Sequence, residues 1–376
     1  MAFAGCKSCK GTDTAPAELV PIATDRAAYV TDNVSDQITV IDRESADVLS
    51  RSIDIDKTAH EAPHHLAVDP RARRLFVALT FPAPPDPEKK GPHSGHGNAS
   101  NNGKLAKLDL ATLSVQAIVD VDENPGDVVL THDGTKVLVT HFDMRRAMVA
   151  ATAGRPPNEM FATIQVWDTT SMKKIGSRAI CVAPHGIAVS SDDKTAIVAC
   201  YGSDEIALVD LTQKQLPTSR FVLGATEGVL GAPKYGPYSA DPSPDNSRIL
   251  VGDLESKDVR IFDLATKKFA DPIAVGSRAF IGAFLDDATA IVPLQAPDGL
   301  VKIDTQKNSV LARVSLSKDQ CEAPHMARVD SKHRVFVVCE GDHVSPGAVI
   351  EVDPTTLAVI KRWVTGIYPD GIAFGD

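Results

Sequence analysis

The sequence predicts an all-β fold: a seven-bladed β-propeller with four-stranded antiparallel blades, its ring closed by pairing the C-terminal strand with the N-terminal blade. Three observations predict it. Seven segments alternate apolar residues and end in Asp, namely Ile38–Asp42, Leu105–Asp109, Ile164–Asp168, Ile206–Asp210, Val259–Asp263, Leu300–Asp304 and Val349–Asp353. Period-2 alternation is the signature of a strand, and a terminal Asp ahead of Thr, Ser or Pro suits a turn. Between these segments falls a second pattern, a Pro followed by a short apolar strand. Finally, the chain begins with a strand that has no inner partner, Ala27–Thr31, and ends with an inner strand that has no blade after it, Gly371–Phe374.

The Pro-led strands begin Pro63-His-His, Pro125-Gly-Asp, Pro184-His-Gly, Pro324-His-Met and Pro369-Asp-Gly, with Pro237-Tyr-Ser and Phe280-Ile-Gly as less faithful copies. A further apolar strand follows each, such as Lys136–Thr140 or Thr195–Cys200. Four short strands per repeat, over some 40–65 residues, make a propeller blade, and joining the two chain ends leaves no open edge. Residues 1–24 lack any strand pattern and read as a tether; residues 25–376 form the propeller domain.

Composition narrows the function. The chain has 376 residues, 43% hydrophobic and 23% charged, as an ordinary globular protein does. A net charge of −10 argues against nucleic acid as a partner, since phosphate binding needs a basic face. No stretch approaches the ~20 apolar residues of a transmembrane segment. No Walker loop, HExxH or GxSxG elbow is present.

The segment Tyr29-Val-Thr-Asp-Asn-Val-Ser-Asp-Gln-Ile-Thr-Val-Ile-Asp42 resembles the signature of YVTN-type seven-bladed β-propellers, departing at Asp32 where that signature has Asn. The resemblance spans about residues 25–376. It implies a bacterial surface or periplasmic protein, distantly similar to lactonases and streptogramin lyases, and specifies architecture more than activity.

In such a ring the inner strands line the axis and run the same way, so their starts share one face. The insertions Phe81–Gly103 and Phe142–Phe161 and the loop Gly224–Gly236 belong to that face, which is therefore the expected docking place for a small ligand or protein. Nine of the 11 histidines fall there. His64, His185 and His325 each follow a Pro at an inner strand start and should converge on the axis. Imidazole suits copper or zinc, and three His with an open position make a catalytic type of metal shell. Asp127 and Asp370 occupy the matching slot, or the next, in two other blades, as oxygen ligands or as orienting carboxylates. His141, ending a second strand on that side, is the candidate acid/base residue. Met144 and Met326 would favour copper if they faced the site. The competing reading is that Pro-His is a structural habit of the blade.

The cysteines repeat with the histidines. Cys181 and Cys321 each lie four residues before a Pro-His histidine, and Cys200 and Cys339 end the following strands. Antiparallel neighbours at matching ends predict disulfides Cys181–Cys200 and Cys321–Cys339, hence an oxidising compartment, the periplasm or cell surface. His60 takes the equivalent slot in a third blade, which keeps Cys/His metal ligation open as an alternative. Near the N-terminus, Phe3-Ala4-Gly5-Cys6 resembles the end of a lipoprotein box and implies a lipid anchor at Cys6, although the apolar run of such a box is missing. Cys6-Lys-Ser-Cys9-Lys is also a CxxCK, a rare variant of the haem c attachment motif.

These features support an extracytoplasmic binding scaffold with a His-lined metal or small-ligand site at the funnel mouth. The alternatives are a copper- or zinc-dependent enzyme, such as a lactonase, lyase or oxidoreductase, and an electron-transfer protein carrying haem at Cys6 and Cys9.

Overall fold

The structure, a computed structural model, describes residues 22–53, 60–81, 97–224 and 229–376. Cys6, Cys9, His93 and His96 lie outside these residues, so haem attachment, lipidation and all but the last three residues of the tether do too. Seven antiparallel sheets succeed one another along the chain. Six run inner to outer in chain order, and the seventh joins Ala27–Asp32, Gln37–Asp42 and Val48–Ser52 to the C-terminal strand Pro369–Phe374. There Ala28, Tyr29 and Val30 face Phe374, Ala373 and Ile372 in antiparallel register, closing the ring as expected.

Burial follows position in the blade. Second strands such as Arg74–Leu79 (RLFVAL) are buried on both faces after their first residue, because blades pack on either side. Outer strands such as Val115–Glu123 are largely exposed. Seven apolar clusters fill the interfaces between neighbouring blades; the one between the blades ending at Cys181 and at Val222 contains Leu138, Val166, Ile187 and Val209.

The recurring terminal Asp has a mechanical role. Asp353 accepts the backbone N–H groups of Thr355 (2.9 Å) and Thr356 (2.7 Å), and Asp304 those of Gln306 (3.0 Å) and Lys307 (2.8 Å). Asp109, Asp168, Asp210 and Asp263 do the same in their turns. Each carboxylate replaces a backbone acceptor and tightens the turn to the outer strand.

A buried arginine locks the closure. Arg43 donates to Asp330 (2.7 Å) and to the Asp25 carbonyl (2.8 Å), pairs with Asp376 (2.9 Å), and lies over the Phe374 ring. It thereby ties the closing blade to its neighbour and to the end of the closing strand.

One blade departs from the pattern. The slot marked by Phe280-Ile-Gly holds two short pieces, Arg278–Ala279 and Ala283–Phe284, in place of one inner strand. Without the Pro, Phe280 bonds the Pro293 carbonyl (3.0 Å), and Ile281 forms a parallel bridge to Met326 of the next blade.

Both expected disulfides are present, Cys181–Cys200 with Cα atoms 5.9 Å apart and Cys321–Cys339 with 5.2 Å. Each fastens the segment before an inner strand to the end of the second strand of the same blade. This pairing excludes Cys/His ligation by these four residues, and with it goes an oxidising compartment. Among the described residues no helix is long and apolar enough to cross a membrane.

In a Cys6→Ser/Cys9→Ser variant, thiol titration of the unfolded but unreduced protein will detect no thiol. Each bridge closes a loop of 18 or 19 residues, so Cys321→Ser/Cys339→Ser will lose about 3 kcal/mol of unfolding free energy. Free thiols before reduction would contradict the pairing. The turn aspartates are held below the usual 3.8 mainly by the N–H and hydroxyl groups they accept. A depressed folded value adds stability above pH ~4 and loses it as pH falls further. Melting temperature will therefore drop on acidification from pH 5 to 2, and Asp353→Asn, which keeps the acceptor, will show a smaller drop. An equal drop in that variant would contradict the assignment.

Candidate metal centre

Six of the seven inner strands start in the same unusual way. The residue before the Pro has positive φ: Ala62 (49°), Asn124 (55°), Ala183 (49°), Gly236 (65°), Ala323 (52°) and Tyr368 (58°). The left-handed conformation reverses the chain direction, and Pro then fixes the next φ. Immediately after the Pro the pairing register shifts, as between Pro63 and Leu66 or Pro184 and Ile187. Such a bulge re-aims side chains, here those one and two places after Pro, toward the ring's centre. Thr31 and Thr140, on second strands, brace neighbouring bulges by donating to the carbonyls of His64 and His185.

The histidines meet. His64, His65 and His185 each offer a ligand atom within 4.8 Å of the others, and so do His65, His325 and Asp370. Ring centroids lie 5.7 Å apart for His64–His185, 5.4 Å for His65–His185 and 6.1 Å for His65–His325. All are buried, as are Asp127, Asp370 and Glu340. The cluster is therefore a closed core and not the open cup that the strand starts suggested.

Three of the four rings are held by carboxylates through Nδ1: His64 by Asp370, His65 by Asp127 (2.6 Å) and His325 by Glu340. Metal-ligating histidines are held in this way, a carboxylate anchoring Nδ1 and so setting the direction of Nε2. Asp370 also lies 3.2 Å from His325 Nε2 and 3.7 Å from His65 Nε2. Asp127 accepts the N–H groups of Val128 (2.7 Å) and Ile187 (3.1 Å) as well, joining three inner strands. The fourth ring, His185, stacks on Tyr238 with centroids 3.8 Å apart. Gly186 permits that contact, since a Cβ there would stand 2.6 Å from the Tyr238 carbonyl oxygen. Phe142, Tyr238 and Phe280 pack edge-on or tilted against His185 and His325.

Electrostatics match the geometry. Burial alone would raise the Asp370 carboxyl, but His64, His65 and His325 hold it well below its ordinary value. Asp127 is likewise lowered against burial by His65 and, less, by Arg328. Burial opposes a charge on His65, yet Asp127 and Asp370 push its pKa up to about 9. Burial wins at His64, which is lowered. The site is thus a water-poor volume with a strong demand for positive charge.

The predicted ligands His64, His185, His325, Asp127 and Asp370 all lie in this cluster. His65, Glu340 and Tyr238 are the additions. The doublet Pro63-His-His signalled His65, because a bulge can turn both residues inward; nothing in the sequence separated Glu340 from other acidic residues after second strands. His141 is elsewhere: buried one strand outward, its Nδ1 is held by the Thr163 carbonyl (2.9 Å) and hydroxyl (3.1 Å). Among the described residues its hydrogen bonds go to Thr163 and none to the cluster, so the acid/base role expected of it gains no geometric support. His60 is half exposed, 3.7 Å from Asp36. Met144 packs in the loop cluster around Phe142, and Met326 lines a cavity on the axis.

No protein-family profile matches the chain, and no curated protein matches it. Solved structures do. The chain is similar to Kuenenia stuttgartiensis hydrazine synthase, with 19% identity and a TM-score of 0.61 over 83% of this chain and 89% of that one. A putative 6-phosphogluconolactonase from Bacteroides fragilis matches 95% of this chain over its full length, at 12% identity and a TM-score of 0.66. Dihydro-heme d1 dehydrogenase NirN, solved in complex with DHE, matches 95% of this chain and 77% of its own, at 13% identity and a TM-score of 0.59. At these identities the likeness is one of fold.

Proposed function

We propose that this protein is an extracytoplasmic β-propeller that holds a transition-metal ion, copper or zinc, on its axis. The observation that carries this reading is the convergence of His64, His65, His185 and His325 with three of their Nδ1 atoms anchored by Asp370, Asp127 and Glu340. Burying three carboxylates and four imidazoles is costly unless charge is matched. A divalent cation supplies that match, and an imidazole-rich donor set without thiolate suits copper or zinc. The two disulfides support placement in an oxidising compartment. The lactonase-like neighbour adds one enzymatic variant of the same reading, in which the metal polarises a lactone carbonyl.

The test is elemental analysis of the Cys6→Ser/Cys9→Ser variant after reconstitution with Cu(II) or Zn(II) and dialysis. About one tightly held ion per chain is expected. His65→Ala and His185→Ala/His325→Ala will reduce it to background. Asp127→Asn, which keeps the side chain's size, will weaken affinity about 10–100-fold. No retained metal in the folded protein, or equal retention in the histidine variants, would overturn the proposal.

A further inference from the structure

The inner strands show a second ring of equivalent positions. Four residues after each Pro stand Ala67, Val129, Ala188, Asp241, Arg328 and Ala373. Small residues predominate, and the axis is hollow at this level. A cavity of about 290 Å³ extends from His65 and Asp127, past Ala67, Val129, Arg328 and Ala373, to Ser331 and Asp376. Ser331 and Asp376 are exposed, and they lie beyond the ends of their inner strands. The cavity therefore reaches the face opposite the insertions.

Arg328 is out of keeping with its neighbours. It stands in the same strand as His325, and its guanidinium donates to the carbonyls of Ala327 (3.1 Å) and Gly282 (3.5 Å). Among the described residues no carboxylate lies within ion-pair distance of it, although Asp127 and Asp241 feel its charge, whereas Arg43 and Arg334, near the cavity's outer end, are both paired with Asp330. A guanidinium has five donors in a planar fork, matched to small anions. The volume is just under the ~300 Å³ at which pockets for drug-sized ligands begin.

We infer that the axial cavity is the access route to the metal centre and that Arg328 binds a small anion, of carboxylate or azide size, beside the metal. This rests on the proposed metal centre and deepens it: the site is served from the turn-lined face and not from the loop-rich face, and its exogenous ligand is anionic. Asp241, in the same ring, opposes the anion.

The test uses Co(II) as the metal, with azide and formate as anions, followed by visible absorption in the full chain. Wild type will show ligand-field bands that shift with either anion. Arg328→Met will keep cobalt affinity within about twofold and weaken both anions about tenfold or more, the loss expected for a charge-assisted contact. Asp241→Asn will strengthen both. Ala373→Phe, which fills the cavity, will slow cobalt loading about tenfold or more at unchanged final occupancy; Val129→Phe replaces it if circular dichroism shows misfolding. Cobalt uptake with anion affinity unchanged in Arg328→Met, or with loading unchanged in the folded plug variant, would overturn this inference alone. No cobalt uptake by wild type would overturn the metal centre, and this inference with it.

Discussion

The structure depends on how the chain turns into each inner strand. A left-handed residue, a Pro and a bulge recur in six of the seven blades. For Ala62, Ala183, Ala323 and Tyr368 the left-handed conformation costs on the order of 1 kcal/mol or more each. It persists because the ring over-determines it: the residue's carbonyl accepts a backbone bond from just beyond the second strand, as Glu340 N–H to the Ala323 oxygen (3.0 Å) and Asn33 N–H to the Tyr368 oxygen (2.8 Å). Two of these starts carry a disulfide as well. What the strain yields is direction, since side chains that would alternate up and down a blade are turned across the axis instead.

That direction explains the polar core. A propeller axis can be lined with small apolar residues, and at the second ring this chain does so with Ala67, Val129, Ala188 and Ala373. At the first ring it places His64, His185, Tyr238, His325 and Asp370, with His65 and Asp127 one residue on. Each imidazole–carboxylate pair joins different strands: His64 with Asp370, His65 with Asp127, His325 with Glu340. The pairs therefore set the geometry of the ring's centre as well as its charge. A cluster built only for stability would do better with apolar residues of similar volume; one built to receive a cation needs the carboxylates where they are.

Much of this was legible in the sequence because repeats report geometry. Equivalent positions in a closed ring must converge, so Pro63-His, Pro184-His, Pro324-His and Pro369-Asp placed His64, His185, His325 and Asp370 before any coordinates, and the Cys181/Cys200 and Cys321/Cys339 spacing placed the disulfides. Two things were not legible. Burial at the mouth depends on Phe142, Tyr238 and Phe280, which come from segments that vary between blades. Partner choice depends on register: Glu340 meets His325 because it follows Cys339 at the strand's end, and His141, equally near the mouth in sequence terms, turns instead to Thr163. A count of positions fixes a strand's face but not which side of a bulge a side chain leaves from.

The most direct test of the central claim is anomalous X-ray scattering from crystals of the metal-loaded protein, collected at the absorption edge of the added copper or zinc. The account predicts one dominant peak on the propeller axis, within bonding distance of imidazole nitrogens from His64, His65, His185 or His325. A dominant peak elsewhere, with these rings still bonded only to one another and to Asp127, Asp370 and Glu340, would contradict it.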